Sequence, residues 1–226
     1  MDNKGTKITF LSEKMEFPAV DLATQDGLLA VGGDLSPDRI LLAYKSGIFP
    51  WFNDDSFILW WSPDPRMVLY PDRIKISKSM RKLLLEDRFE MRVNTRFKEV
   101  VEACATISRK DQKGSWITPG MEDAYVKLNE LGYAKSYEVW DNDRLVGGLY
   151  GVDLGNVFCG ESMFSKTPNA SKFALINLAI ELKKKNYSLI DCQQYSEHLK
   201  SLGAEEIPRH EFMRLLQTKD QAGHQK

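Results

Sequence analysis

The segment SLIDCQQY, residues 188–195, sets two polar side chains, Asp191 and Gln193, two apart in a run that otherwise reads as an apolar strand. Alternation along a strand puts Leu189, Asp191 and Gln193 on one face and Ile190 and Cys192 on the other. A carboxylate beside a carboxamide admits two readings. In the first, polar groups at a strand end tie down backbone amides and do nothing more. In the second, at the carboxyl edge of a sheet, the acid orients the amide, and the amide holds a nucleophile or a leaving group. Glu161, in NVFCGESMFS, poses a similar choice. A carboxylate in so apolar a strand is costly unless it meets a cation or several donors. Either an Arg or Lys of the same chain pairs with it, or it receives a cationic ligand from outside. Straight alternation sets Phe158 and Glu161 on opposite faces, so a pocket lined by both requires a bulge near Gly160.

Two tryptophans stand in turns: Trp51 in IFPWF and Trp116 in GSWITPG. Each is a plug over a core or a lid that stacks on a base or a peptide. Trp60 and Trp61 are adjacent and strand-like, with at least one in the core. Cations gather at Arg73, Lys75, Lys78, Arg81 and Lys82 and again at Arg109, Lys110 and Lys113, as a solvated face or as a guide for phosphates. Cys192 and His198 lack a third group to orient a thiol nucleophile. The three cysteines form no CxxC and the histidines no HExxH or HxxxH, so neither a metal nor a disulfide framework is expected.

These residues need a scaffold, and the chain is long enough to supply one. Its 226 residues, 42% hydrophobic and 28% charged, exclude a disordered or low-complexity protein and fit one large domain or one domain with a satellite. Lys+Arg of 31 against Asp+Glu of 32 provides no global cationic field, so a polyanion must be met by a local patch. No apolar run approaches the length of a membrane span and no signal core opens the chain, so a cytoplasmic protein with no membrane partner is expected. The first sixty residues crowd turns and aromatics around one helix, started by Ser36 and Pro37 and stopped by Gly47. Pro63 and Pro65 in WWSPDPR interrupt regular structure, which divides the chain into a small N-terminal domain, 1–62, and a second domain, 63–226.

Beyond that break, 67–70 reads as a strand, Ser77 caps a short helix, and 88–94 is a strand. Two amphipathic helices follow, one with Phe97, Val100, Val101, Cys104 and Ile107 on its apolar face. The other, after Thr118-Pro119, carries Met121, Ala124, Tyr125, Leu128 and Leu131. Strands at 134–141, 144–152 and 156–164 form a meander. A helix over 169–185, a strand at 188–193, a short helix at 197–202, an edge strand at 205–208 and a last helix at 210–217 complete the order. The expected class is α+β, with a mixed, mostly antiparallel sheet flanked by helices. This is the element order of the GNAT acetyltransferases, which points to acyl transfer by fold analogy.

The strings LLAVGGDLSP, GIFPWF, WWSPDPR, GSWITPG, VGGLYG, FCGESMFS, NASK, DCQ and SLGAEEIPR, in order from Leu28 to Arg209, resemble the bacterial leucyl/phenylalanyl-tRNA protein transferase family. The resemblance implies a small N-terminal domain joined to a GNAT-like domain. It also implies transfer of Leu or Phe from aminoacyl-tRNA to the N-terminal Arg or Lys of an acceptor protein, marking that protein for degradation, with no cofactor. It places Asp191 and Gln193 as the catalytic pair and Glu161 and Trp51 at the acceptor site, with Tyr44 and Tyr125 near the acceptor. Trp116 would lie against the 3' terminal adenosine. Leu149, Phe158, Leu175, Leu178 and Ile190 would form the apolar pocket for the transferred side chain. The piece QYSEHLK, 194–200, follows the family pattern only in part. An acetyl-CoA dependent N-acetyltransferase of the same fold is the alternative. Against it, SKTPNASK, where that superfamily cradles pyrophosphate with glycines, contains none.

Overall fold

The structure is a computed structural model that describes residues 8–53, 57–106 and 117–218. Trp116, Ile107 and the cations Arg109, Lys110 and Lys113 lie outside the described residues, as does the polar tail from 219.

The N-terminal segment holds β1 (Thr9–Leu11), β2 (Leu28–Gly32), α1 (Pro37–Lys45), β3 (Phe49–Pro50) and β4 (Leu59–Trp61). Its strands form a sheet in the order β1-β2-β4-β3. That sheet is not foreseen by the sequence reading, because strands of two to five residues are too short for an alternation to register. The helix between them starts as its sequence dictates: Ser36 caps it by accepting from Arg39 N at 3.4 Å, and Pro37 occupies the first turn. Trp60 is fully buried and donates to the Gly32 carbonyl at 2.8 Å, while Trp61 is partly exposed.

The rest of the chain runs through β5 (Arg66–Leu69), α2 (Lys78–Leu85), β6 (Glu90–Val93), α3 (Phe97–Thr106), α4 (Pro119–Glu130) and β7 (Ala134–Asp141). It continues with β8 (Arg144–Asp153), β9 (Val157–Ser165), α5 (Ala170–Lys184), β10 (Leu189–Gln193), α6 (Glu197–Ser201), β11 (Glu205–Ile207) and α7 (Arg209–Gln217). The second sheet has seven strands in the order β11-β5-β10-β9-β8-β7-β6. Only β9 and β10 pair in parallel, joined across α5; the other neighbours are antiparallel. This is the α+β class expected, with a mixed, mostly antiparallel sheet flanked by helices.

Two apolar layers cover its faces. One gathers α3, α4 and α7 residues with Leu29, Ile40, Tyr44, Phe52 and Trp60 of the N-terminal segment. The other is built largely by α5, whose Leu175, Leu178, Ala179 and Leu182 are buried as their spacing requires. The sheets separate between Trp61 and Arg66, yet the first apolar cluster runs across that break. Leu131, expected on the apolar face of α4, is instead 59% exposed. The helix ends at Glu130 and the chain turns at Gly132, with φ +84°, before Leu131 completes the face. Among the described residues, no helix is long and apolar enough to cross a membrane, and no cluster of three His, Cys, Asp or Glu side chains is arranged to hold a metal ion.

Candidate active site

Pairing between β9 and β10 ends at Asp191↔Cys159. Beyond that point each strand bulges, and a cleft opens at the carboxyl ends of the parallel pair, where α/β sheets commonly take ligands. On β9, Tyr150 pairs with Ser162 but Gly151 with Gly160, so Glu161 has no partner on β8. The bulge thus lies beside Gly160, and it brings Met163 opposite Leu149. Phe158 and Glu161 nevertheless pack differently: Phe158 sits in the α5 layer, while Glu161 bonds Tyr125 of α4. The irregularity leaves no space at Gly151, where a Cβ would lie 2.2 Å from the Cys159 carbonyl oxygen and 2.6 Å from the Phe158 ring. Gly151→Ala is expected to destabilise the fold by about 1–3 kcal/mol, measured as a lowered urea midpoint at unchanged slope.

On β10, Asp191 pairs with Val68 and Gln193 with Met67, leaving Cys192 as the extra residue. Gln193 adopts φ +59°, a conformation uncommon outside glycine and asparagine. Its backbone N–H donates to Asp191 Oδ1 at 3.0 Å, which holds the kink. The relation between the two residues therefore differs from the expected one. The acid orients the backbone of Gln193 and not its side-chain amide.

Asp191 is itself locked. Arg66 Nε donates to its Oδ1 at 2.8 Å and Arg66 Nη2 to its Oδ2 at 2.7 Å, a two-pronged pair with both side chains about 1% exposed. A carboxylate so engaged is not a free base. The side-chain amide of Gln193 is held from β9, where Nε2 donates to Glu161 Oε1 at 3.2 Å. An ionised carboxylate only accepts, so the amide nitrogen faces it and the amide oxygen is left as an acceptor.

Glu161 completes a chain of polar groups between α1, α4 and the sheet. Tyr125 donates to its Oε2 at 2.6 Å, and the Tyr125 and Tyr44 hydroxyls lie 2.6 Å apart. Among the described residues, Glu161 is thus hydrogen-bonded by a hydroxyl and an amide, and by no Arg or Lys. Burial lifts the Glu161 carboxyl from 4.5 to about 7; the two tyrosine hydrogen bonds and Arg66 oppose the rise and Asp191 adds to it. Burial, followed by the charge of Glu161, pushes both tyrosines well above their ordinary range and keeps them protonated donors.

Beside this chain lies a cavity of about 390 Å³. Leu149, Leu175, Leu178 and Ile190 line it together with Met163 and Leu199, and Glu161, Asp191, Gln193, Ser196 and His198 form its polar side. Phe158 is not in the wall; it is fully buried behind it and meets Tyr137 edge-on at 5.9 Å. Trp51 also lies outside the wall, packed edge-on against Trp61 at 5.6 Å while its carbonyl accepts from the Trp61 indole at 2.7 Å. Cys192 touches the cavity, but burial raises its thiol pKa, which keeps it protonated and a poor nucleophile.

Sequence reasoning missed Arg66, Leu199 and Met163. A signal for Arg66 existed: a lone cation opens the apolar strand RMVL, and a lone anion sits in the apolar LIDC, each needing a buried partner of opposite sign. No comparable signal marked Leu199, whose place in the wall depends on how α6 folds back over the cleft.

A sheet splayed between two parallel strands, with an apolar cavity and convergent polar groups at the opening, can hold an apolar side chain beside hydrogen-bonding groups. Residues 68–217 match the family described as leucyl/phenylalanyl-tRNA protein transferase, and residues 33–64 match its N-terminal domain. The chain belongs to that family. It is 58% identical to the leucyl/phenylalanyl-tRNA--protein transferase of Flavobacterium johnsoniae over 93% of this chain and 99% of that one. The like-named protein of Christiangramia forsetii is 54% identical over 92% and 99% of the two chains. For that of Syntrophus aciditrophicus, the identity is 55% over 91% and 86%. Among solved structures, a GCN5-related N-acetyltransferase from Kribbella flavida aligns with a TM-score of 0.38 at 10% identity, over 74% of this chain and 59% of that chain. Likeness at that level says nothing about chemistry.

Proposed function

We propose that this protein transfers Leu or Phe from aminoacyl-tRNA to the free α-amine of a protein that begins with Arg or Lys, marking it for degradation. The observation that carries this reading is the convergence of Glu161, Gln193 and an apolar cavity at one strand opening. The amine nitrogen attacks the ester carbonyl carbon and the bond to the ribose oxygen breaks; the amine loses a proton and the ribose oxygen gains one. The ester is already activated, so the reaction needs no metal, nucleotide or covalent enzyme intermediate. An α-amine titrates near about 7.7–8.0, so a useful fraction is neutral at pH 7 and little base strength is required. What the site supplies is juxtaposition, worth up to about 7–11 kcal/mol for well-oriented reactants.

On this reading the Gln193 amide oxygen accepts from the attacking amine, and Asp191 holds the backbone that aims it. Glu161 favours a cationic acceptor and stabilises the ammonium that forms on attack. Trp51 and the Tyr44–Tyr125 pair bound the acceptor side, and Trp116 stacks on the terminal adenosine. Leu149, Leu175, Leu178 and Ile190 receive the Leu or Phe side chain, with Phe158 backing them. Charged tRNA and new proteins meet in the cytoplasm, where we place the protein.

The direct test supplies radiolabelled Leu on tRNA to a peptide beginning with Arg, beside an acetyl-CoA control. Label in the peptide from the tRNA alone is expected; acetylation alone would replace this reading with the acetyltransferase one. Leu178→Phe, which fills part of the cavity, is expected to shift preference from Phe toward Leu by about tenfold, read as the ratio of kcat/KM for the two charged tRNAs. The cations of the described cluster, Arg73, Lys75, Lys78, Arg81 and Lys82, are all exposed. If they meet phosphates, log affinity for tRNA falls linearly with log salt, and a flat response returns them to the solvated face.

A further inference from the structure

Arg66 makes more contacts than an ion pair requires. Besides the fork on Asp191, its Nη1 donates to the Gly47 carbonyl at 3.2 Å, at the start of GIFPWF. Ser62 Oγ donates to the same carbonyl at 3.1 Å. The guanidinium lies between two rings, with its central carbon 4.8 Å from the centre of Phe49 and 4.6 Å from that of Phe212. It is thus directed in three ways: by the carboxylate of β10, by the turn before β3, and by aromatic faces from β3 and α7. Gly47 has φ +73°, a conformation that frees its carbonyl to point at Arg66 without a Cβ penalty. A buried ion pair is rarely needed for stability, since apolar residues of similar volume often replace one without loss. What apolar residues could not supply is direction.

We propose that Arg66 is a positioning residue for the transfer step: it clamps Asp191, and through Asp191 the kinked Gln193, at a set distance from the Gly47 turn that leads through β3 to Trp51. The inference rests on the function proposed above, the strand-tip reading, and deepens it, because Arg66 is buried and does not line the cavity. One side chain then joins the strand that presents Gln193 to the segment proposed to bound the acceptor. Misplacement of an attacking group by an ångström is enough to slow a reaction by about 100-fold, so the clamp would act on kcat more than on binding.

The test compares Arg66→Lys, Asp191→Asn and their double variant in transfer assays with both substrates varied, beside thermal melts. A lysine keeps the charge but not the fork. Arg66→Lys is expected to lower kcat by about 10- to 100-fold while KM for the charged tRNA and for the peptide stays within about threefold. The double variant is expected to lose no more than the worse single one, as for two residues acting in one unit. Wild-type kcat in folded Arg66→Lys, a loss confined to KM, or losses that multiply would each overturn the clamp. If Arg66→Lys fails to fold, Phe212→Leu decides, since it keeps the ion pair and removes one stacking face: a lowered kcat supports the clamp and an unchanged one refutes it. Full activity in Asp191→Asn would instead sink the strand-tip reading, whatever Arg66 does.

Discussion

Asp191→Asn is expected to lower kcat for transfer by about 100-fold while charged tRNA binds within a few-fold of normal affinity, because the change disturbs the aim of Gln193 and not the apolar cavity. Asn can accept only one prong of the Arg66 fork, and the guanidinium is left buried without its counter-charge. Removing one partner of a buried pair generally costs about 3–5 kcal/mol, so a lower melting temperature accompanies the loss of rate. The two effects separate experimentally. Rates are read well below the melting transition, and affinity by equilibrium binding of charged tRNA. Equal losses in rate and affinity would remove Asp191 from the transfer step.

Glu161→Gln is expected to act oppositely on stability and on selectivity. In the folded protein the carboxyl titrates at about 7 instead of 4.5, so between these values the folded state binds more protons than the unfolded one. Stability attributable to this group is therefore undiminished below pH 4.5 and falls as pH rises through about 7. The glutamine variant escapes that fall. At pH 8 it should be more stable than the parent by on the order of 1–3 kcal/mol, and near pH 4.5 almost equal to it. Its activity should suffer: losing a charged partner for the acceptor's cation is expected to lower kcat/KM for Arg- and Lys-initiated peptides by about 10- to 100-fold. In the parent, kcat/KM for those peptides should rise with pH through about 7 as Glu161 ionises, apart from the later rise due to the amine itself. A glutamine variant that kept its preference for cationic over neutral N-termini would refute the assignment of Glu161.

Both effects of the Glu161 change depend on a carboxylate that forms no ion pair among the described residues. Glu161 is instead held by Tyr125 and Gln193, which satisfy its oxygens while leaving its charge available to a ligand. The free protein keeps a group that is easier to bury protonated, at a site where a bound cation would stabilise the ionised form. Selectivity and stability compete at this residue.

Much of the scaffold was legible because it rests on local rules. Ser36, Ser77 and Thr118 cap helices because their hydroxyls accept from N–H groups three residues on, a bond decided within a single turn. The meander and α5 follow from apolar periodicity. The short strands of the first segment were illegible for the same reason, being shorter than the period that reveals a strand. Asp191, Gln193 and Glu161 stood out in sequence because charge and amide groups in apolar strands demand partners. Which partners they find is a matter of three-dimensional neighbours 125 residues apart in the case of Arg66 and Asp191, and 32 apart for Gln193 and Glu161. Residue types and local spacing therefore determined the elements and the groups available for chemistry. Tertiary packing alone decided that Arg66 holds the acid, that Glu161 holds the amide, and that Phe158 stands behind the cavity, because contacts across a sheet depend on register and bulges that no local pattern encodes.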